Sequence, residues 1–158
     1  VRMNGSVGIF NGLTLSITTE NAGTAKYIYQ MLRELYDVHA EIRVHQRLRS
    51  LKIGLYGFIT EGASELLDEL SLADSLMLDN GVPEFVKNDE FIKKDYLRGA
   101  FLSAGSLHNP EKGEYQLSIA SVYQEHAEDL QEIFRDFGLK CARYLKRKNS
   151  LDTLFIKS

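Results

Sequence analysis

The sequence has a single cysteine, no long apolar run and no excess of basic residues. Cys141 has no second cysteine to pair with, so no disulfide can form within the chain, which agrees with a reducing cytoplasm. No apolar segment approaches the ~20 residues needed to cross a bilayer, and no signal peptide is visible. The formal net charge of −3 gives no global attraction to nucleic acid, so such binding requires a local basic surface. We expect a cytoplasmic protein without membrane contacts.

Recognisable catalytic and cofactor motifs are also missing. The histidines form no HxH, HExxH or His/Cys pattern of the kind that binds zinc; they are His39, His45, His108 and His126. There is no phosphate-binding loop, no dinucleotide-binding glycine pattern and no nucleophile elbow. The sequence therefore predicts no cofactor and no metal.

A segment rich in small residues stands inside an otherwise helical pattern that opens at Asp89. Glycine in a helix costs about 1 kcal/mol relative to alanine, so its presence needs a structural reason. Gly99 with Ser103, and Ala100 with Ala104, are i,i+4 pairs that let a second helix approach closely. We predict that a lobe interface is formed by Gly99, Ala100, Ser103 and Gly105.

The chain repeats itself roughly one hundred residues apart, a period too long for a solenoid. The Gly-Ser step at Gly5 returns at Gly105, and the Leu-Ser-Ile segment at 15–17 returns at 117–119. The repeat predicts two pseudo-symmetric lobes that imitate a symmetric dimer. The predicted boundaries are 1–75 for the first lobe, 76–88 for a connection and 89–158 for the second lobe.

Hydrophobic periodicity predicts the elements of each lobe. The helices are predicted over 21–36, 61–70 (with Thr60 as N-cap), 89–104 and 124–137. The strands are predicted over 6–10, 13–18, 38–46, 51–59, 115–121, 140–148 and 151–157, with hairpin turns at Asn11-Gly12 and 109–113. Each lobe reads as αββαββ, an α+β arrangement in which helices cover one face of a four-stranded antiparallel sheet.

The uncovered face of each predicted sheet would carry short hydrogen-bonding side chains bordered by long cations. A twisted sheet of this kind can lie in a DNA groove, with polar side chains toward base edges and cations toward phosphates. Solvated sheet faces are polar in any case, so the pattern alone also fits a face without a ligand. The candidate DNA-binding residues are Ser16, Thr18, Arg43, His45, Arg47, Arg49, Lys52, Tyr144, Lys146 and Lys148.

Two phrases carry a resemblance to a known family. They are YLRGAFLSAGSLHNPEKGEYQLSI at 96–119 and RMNGS at 2–6. Both resemble the LAGLIDADG homing-endonuclease scaffold and, more closely, the WhiA family of bacterial sporulation and cell-division regulators. The resemblance covers essentially the whole chain and implies two lobes joined through paired small-residue helices. It also implies a helix-turn-helix domain that this chain does not contain, and we expect further residues before Val1 and after Ser158.

The resemblance breaks at the residues that would cut DNA. In active endonucleases of this scaffold each paired helix ends in an acidic residue directly before the glycine, and the two carboxylates hold divalent metal. The matching positions here are Asn4 and Ala104. Because Mg²⁺ prefers anionic oxygen ligands, the resemblance implies a domain that is not an enzyme. We expect a non-catalytic, nucleoid-associated part of a transcriptional regulator that binds double-stranded DNA.

Three other interpretations remain open at this point. The net acidity also fits a scaffold domain that binds a protein partner and no longer contacts DNA. The second interpretation is a metal-dependent LAGLIDADG endonuclease, and a cleavage assay separates it from the scaffold domain. The element count also fits two tandem ferredoxin-like ligand-binding modules, although such modules have no need for helix backbones in contact.

Overall fold

The protein forms two compact units, Val1–Asp79 and Asn80–Ser158. The structure, a computed structural model, describes residues 3, 5–9, 13–19, 21–46, 53–59, 62–70, 80–107, 111, 116–139, 142–145 and 152–157. Each unit contains helices and a four-stranded sheet in which the paired strands are antiparallel. The α+β fold class expected from the sequence is therefore confirmed.

The first unit contains strands that alternate with two helices. In chain order they are β1 (Gly5–Ile9), β2 (Leu13–Thr19), α1 (Ala22–Tyr36), β3 (Glu41–Gln46), β4 (Ile53–Ile59) and α2 (Ala63–Glu69). The strands are arranged in the order β1-β2-β4-β3. Asn21 caps α1, since its Oδ1 accepts a hydrogen bond from the Thr24 amide at 3.1 Å. Helix α2 begins after Gly62 (φ 72°), and Thr60, the expected cap, lies outside the described residues.

The second unit repeats this plan after an additional helical segment. Its elements are α3 (Glu84–Lys87), α4 (Glu90–Ala104), β5 (Gly105–Leu107), β6 (Gln116–Ser121), α5 (Gln124–Asp136), β7 (Ala142–Leu145) and β8 (Asp152–Lys157). The strand order is β5-β6-β8-β7, which matches the first sheet position for position. The helical pattern is predicted to open at Asp89, and Asp89 caps α4: its Oδ1 accepts hydrogen bonds from the amides of Phe91 and Ile92 at 2.8 and 3.0 Å.

The registers of the two sheets match as closely as their strand orders. Gly5 pairs with Ile17 in the first unit, and Gly105 pairs with Ile119 in the second. The next pair along is Ser6 with Ser16, and correspondingly Ser106 with Ser118. The internal repeat seen in the sequence is thus a repeat of the same hydrogen-bonded sheet.

The core of the first unit lies between one face of its sheet and the two helices. Leu15 and Ile17 of β2 are buried in one cluster with Leu32 of α1 and with Leu66 and Leu67 of α2. Leu35 of α1 is 62% exposed, so the apolar side of this helix does not extend to its last turn. Strand β3 begins at Glu41, three residues later than the predicted start at 38, and Ile42 is 50% exposed.

Residues 80–88, predicted as part of a connection, pack within the second unit. Val82 and Val86 are each 2% exposed and form a cluster with Ile133 of α5. The Val82 amide donates to Asp129 Oδ2 at 2.6 Å, and the Asn80 amide donates to Glu125 Oε2 at 3.3 Å. The Gly81-Val82-Pro83 composition resembles a loop locally, but its partners lie more than 40 residues further along the chain.

Candidate nucleic-acid interface

One face of the first sheet lies on the side opposite α1 and α2, the helices that the structure describes in this unit, and is called the uncovered face. Leu15, Ile17 and Thr19 of β2 are buried, at 1%, 6% and 7% exposure. The alternate residues Thr14, Ser16 and Thr18 are only partly buried. Because side chains alternate between the two faces of a strand, Ser16 and Thr18 belong to the face opposite the core. This agrees with the face predicted for both residues.

The register aligns two of the predicted residues across this face. Thr18 pairs with Tyr56, which in turn pairs with Arg43. Ser16 lies in the neighbouring row, which runs from Ser6 through Ser16 and Phe58 to Glu41. His45 pairs with Gly54, one row beyond Arg43 on the same strand. Thr18, Arg43 and His45 thus take positions of the same parity on one sheet, as the alternation predicted.

Among the residues described in the second unit, the sheet has an equivalent uncovered face, with one difference from the prediction. Ile119 and Ser121 of β6 are 1% and 3% exposed, whereas Ser118 is only partly buried. Tyr144 pairs with Leu154, which pairs with Ile119, so the register puts Tyr144 in a core row. Arg143 takes the edge position in the row of Ser118 instead. A shift of one residue moves every side chain of a strand to the other face, and the alternation over 140–148 predicted the opposite phase.

The remaining predicted contacts fall where the structure gives no description. These are Arg47, Arg49, Lys52, Lys146 and Lys148, together with Asn4 at the degenerate metal position. Their proposed roles stay predictions that depend on the sequence alone.

The end of α4 carries no metal-binding group. Ala104 is its last residue, and a methyl side chain supplies no ligand atom. Among the residues that the structure describes, no three His, Cys, Asp or Glu side chains are grouped so as to hold a metal ion. Gly105 follows directly, and a Cβ there would collide with the Phe101 ring and the Phe101 carbonyl oxygen. Glycine is therefore required where the helix passes into β5.

The small residues of α4 differ in their surroundings. Ala100 is 4% exposed, and Ser103 and Ala104 are partly buried. Gly99 is exposed, and within the described part of the chain no heavy atom lies within 4 Å of a Cβ built on it. The lobe interface predicted for Gly99, Ala100, Ser103 and Gly105 stays a prediction.

Charge is distributed unevenly along the sequence of each unit. Helix α5 is acidic; it carries Glu125, Glu128, Asp129, Glu132 and Asp136 against Arg135. Residues 140–157, which include β7 and β8, are basic; they carry Lys140, Arg143, Lys146, Arg147, Lys148 and Lys157 against Asp152. In the first unit, residues 41–59 similarly carry Arg43, Arg47, Arg49 and Lys52 against Glu41. Positive charge is concentrated in the last hairpin of each unit despite the net charge of −3.

Asp129 has a structural role that the sequence alone does not reveal. Its side chain is 15% exposed, and its Oδ1 accepts from Lys87 Nζ at 2.9 Å. Burial lowers the pKa of Lys87, but hydrogen bonds and Coulombic attraction to Asp129 and Glu84 outweigh it, so the pKa rises above its usual value. Through Val82 and Lys87, Asp129 fixes the segment that precedes α4.

His126 is the second residue whose role sequence reasoning missed. It is 1% exposed, with Nε2 2.7 Å from the Tyr96 hydroxyl and Nδ1 2.9 Å from Ser121 Oγ. Ser121 Oγ donates to the Tyr123 carbonyl oxygen at 3.0 Å. A neutral imidazole that donates from Nδ1 and accepts at Nε2 satisfies this arrangement. His126 therefore joins α4, α5 and the end of β6 in the interior, rather than acting at a surface.

Comparison with known families identifies this arrangement. A model described as the WhiA N-terminal LAGLIDADG-like domain matches residues 1–73, and one described as the WhiA LAGLIDADG-like domain matches residues 93–158. The chain belongs to the WhiA family. The family resemblance carried by the two sequence phrases is thereby confirmed.

Relatives of known name support the assignment. The chain is 90% identical over 150 residues to the "Probable cell division protein WhiA" of Lactococcus lactis subsp. lactis (strain IL1403). That match covers 94% of this chain and 49% of the relative, so the chain spans about half the length of its WhiA relatives.

Solved structures show the fold. Full-length DUF199/WhiA from Thermatoga maritima matches with a TM-score of 0.70 at 20% identity, over 99% of this chain and 47% of that one. The homing endonuclease I-WcaI, bound to its DNA recognition sequence, matches with a TM-score of 0.58 at 16% identity, over 99% and 71%. The LAGLIDADG homing-endonuclease-like fold expected from the sequence is confirmed, and no helix in the described residues is long and apolar enough to span a membrane.

Proposed function

We propose that this WhiA chain is a non-catalytic, double-stranded-DNA-binding part of a bacterial transcriptional regulator of sporulation or cell division. The observation that carries the proposal is the uncovered sheet face of each unit. There, Thr18 of β2 lies in the same row as Arg43, and Ser118 of β6 lies in the same row as Arg143; both arginines are on edge strands. DNA binding of this kind places the protein at the nucleoid.

The chemistry of this face suits a duplex. Hydroxyl groups such as those of Ser16, Thr18 and Ser118 donate and accept hydrogen bonds, and so match both base edges and phosphates. The basic hairpins supply the cations that neutralise phosphates, while the acidic helix α5 is unsuited to a polyanion. Support also comes from I-WcaI, a neighbour of the same fold whose structure is bound to its DNA recognition sequence.

The residues at the degenerate metal positions argue against cleavage. Ala104 offers no ligand atom, and the Asn4 amide offers one neutral oxygen where the family's nucleases have a carboxylate. Mg²⁺ gives up its bound water reluctantly and binds to proteins mainly through carboxylate oxygens. The residues present therefore do not fit the catalytic metals of the scaffold.

The length of the relatives makes a second DNA-reading part reasonable. Because the chain spans about half of its relatives, the whole protein has room for the helix-turn-helix domain that the family resemblance implies. In that arrangement the two LAGLIDADG-like units add phosphate contacts and orientation to the binding of the other domain. A protein-binding scaffold is the competing function, and it predicts no DNA affinity for this chain.

Fluorescence anisotropy with a labelled 24-bp duplex of mixed sequence tests the proposal. The 158-residue chain is titrated at 50–200 mM NaCl, and Arg43→Glu is compared with Arg33→Glu on the exposed side of α1. We expect Arg43→Glu to weaken binding by about eightfold at 100 mM salt and to flatten the salt slope by ~0.9, which corresponds to one phosphate contact. Arg33→Glu makes the same charge change and should have a much smaller effect.

Two results would overturn the proposal. Absence of wild-type binding at 50 mM NaCl would favour the scaffold function. Metal-dependent nicking of supercoiled plasmid in Mg²⁺ or Mn²⁺, retained after further purification and lost in chelator, would show that the chain is still a nuclease.

A further inference from the structure

The two uncovered faces share three of four positions in one row and differ at the fourth. In the first unit the row is Ser6, Ser16, Phe58 and Glu41. In the second unit it is Ser106, Ser118, Phe155 and Arg143. The edge-strand position of this Ser-Ser-Phe row therefore carries an acidic residue in one unit and a basic residue in the other.

The neighbouring rows also differ in charge between the two units. One row toward the start of β1, Arg43 takes the edge position in the first unit, whereas Leu145 takes it in the second. One row in the opposite direction, the second unit has Lys157 paired with Gln116. In the first unit the corresponding row contains Thr14, paired with Gly8. The positive charge is thus placed differently along two otherwise equivalent sheets.

This difference can be converted into a length. Successive residues on the same face of a strand are two residues, or about 6.8 Å, apart. In the first unit, Arg43 lies one row from the Ser-Ser-Phe row, in the direction of the start of β1. In the second unit, Arg143 lies in the Ser-Ser-Phe row itself, and Lys157 lies one row from it in the opposite direction. A duplex rises about 3.4 Å per base pair, so one row corresponds to about two base pairs.

We propose that Arg143 and Lys157 form a phosphate-binding site of the second unit that has no counterpart at the equivalent described positions of the first unit. The inference rests on the proposed function, and it deepens that function by making the DNA contacts asymmetric. Arginine and lysine neutralise a phosphate, whereas Glu41, at the position equivalent to Arg143, repels one. The two units therefore bind phosphates at different distances from their Ser-Ser-Phe rows and cannot contact a palindrome equally.

The same anisotropy assay, with the full 158-residue chain and the mixed-sequence duplex, tests the site. Arg143→Gln and Lys157→Gln should each reduce affinity by about eightfold at 100 mM NaCl, and each should flatten the salt slope by ~0.9. Arg135→Gln is the matched control, because Arg135 is exposed and lies on helix α5. Removing its charge should change affinity by less than about twofold, because charges beyond a Debye length of ~10 Å are largely screened.

A gain-of-affinity variant separates the site from simple damage to the fold. Glu41→Arg gives the first unit the residue that the second unit has in the same row, and it should raise affinity by about eightfold and steepen the salt slope by ~0.9. If Arg143→Gln and Lys157→Gln behave like Arg135→Gln, or Glu41→Arg gains nothing, while Arg43→Glu still weakens binding, then the asymmetric site is wrong and the proposed function stands. If the wild-type chain binds no DNA, the proposed function fails first.

Discussion

Two glycines six residues apart in the small-residue segment should respond to alanine in opposite ways. Gly105 follows α4 directly, and its amide donates to the Phe101 carbonyl oxygen that closes the helix. A Cβ at Gly105 would collide with that oxygen and with the ring of Phe101, whose Cε2 lies only 2.7 Å from the Cβ position. The ring can rotate, but the carbonyl oxygen is held by the helix and cannot withdraw. Overpacking of this kind costs about 1–3 kcal/mol.

Gly99 is the matched control in the same helix. Its Cβ position is open within the described residues, and glycine in an exposed helix is about 1 kcal/mol less favourable than alanine. Gly99→Ala should therefore raise the free energy of unfolding by about 0.5–1 kcal/mol, while Gly105→Ala lowers it by about 1–3 kcal/mol.

Thermal unfolding followed by circular dichroism measures both effects. For a unit of this size, 1 kcal/mol moves the unfolding midpoint by about 4–8 °C. Because the two variants shift the midpoint in opposite directions, their midpoints should differ by at least about 6 °C. A Gly105→Ala protein as stable as wild type would refute the close approach at the end of α4. A destabilised Gly99→Ala protein would refute the open space beside Gly99 and would favour the lobe interface predicted for that residue.

Three further predictions concern the interior of the second unit. Asp129→Ala should lower the free energy of unfolding by about 2–4 kcal/mol, because it leaves the buried Val82 amide without its acceptor and breaks a partly buried ion pair. Faster hydrogen exchange of the Val82 amide, measured by NMR, checks this, and Glu128→Ala is the neutral control. The stabilisation from Lys87 should be fully present at neutral pH and decline only as the pH rises above 10.5, because the pKa of Lys87 is raised in the folded state. The difference in unfolding free energy between wild type and Lys87→Met should therefore shrink above that pH. A constant difference from pH 7 to about 11.5 would contradict the ion pair. His126→Ala should lower the free energy of unfolding, measured with urea, by about 2–4 kcal/mol, because it leaves a cavity and removes two hydrogen bonds. A loss below about 1 kcal/mol would show that the imidazole does not hold the helices together.

Much of the fold could be predicted because it depends on local signals. Alternation at 13–18 indicates the correct face for Ser16 and Thr18, and helical periodicity indicates the starts of α1 and α4 near Asn21 and Asp89. The repeat also appeared in the sequence, since Gly5 and Gly105 occupy equivalent register positions. These features depend on neighbours within a few residues, which a single sequence displays.

The features that were missed depend on contacts between distant parts of the chain. Asp129 looks like any acidic residue on an exposed helix until the segment that begins at Asn80 folds back onto it. Alternation assigns Tyr144 to the wrong face of the sheet, because the face is fixed by the pairing partner, here Leu154, and not by the alternation of the strand alone. The exchange between Glu41 and Arg143 becomes visible only when both registers are known.

The proposed DNA contact is made by the uncovered sheet faces and not by the helices. Amide chemical shifts, measured by NMR during titration with a mixed-sequence duplex, distinguish the two surfaces. The shifts at Ser16, Thr18 and Ser118 should change in proportion to bound DNA, while those at Tyr27 and Glu128 on the helices should stay constant. Changes confined to the helices, with the strand residues unaffected, would contradict it.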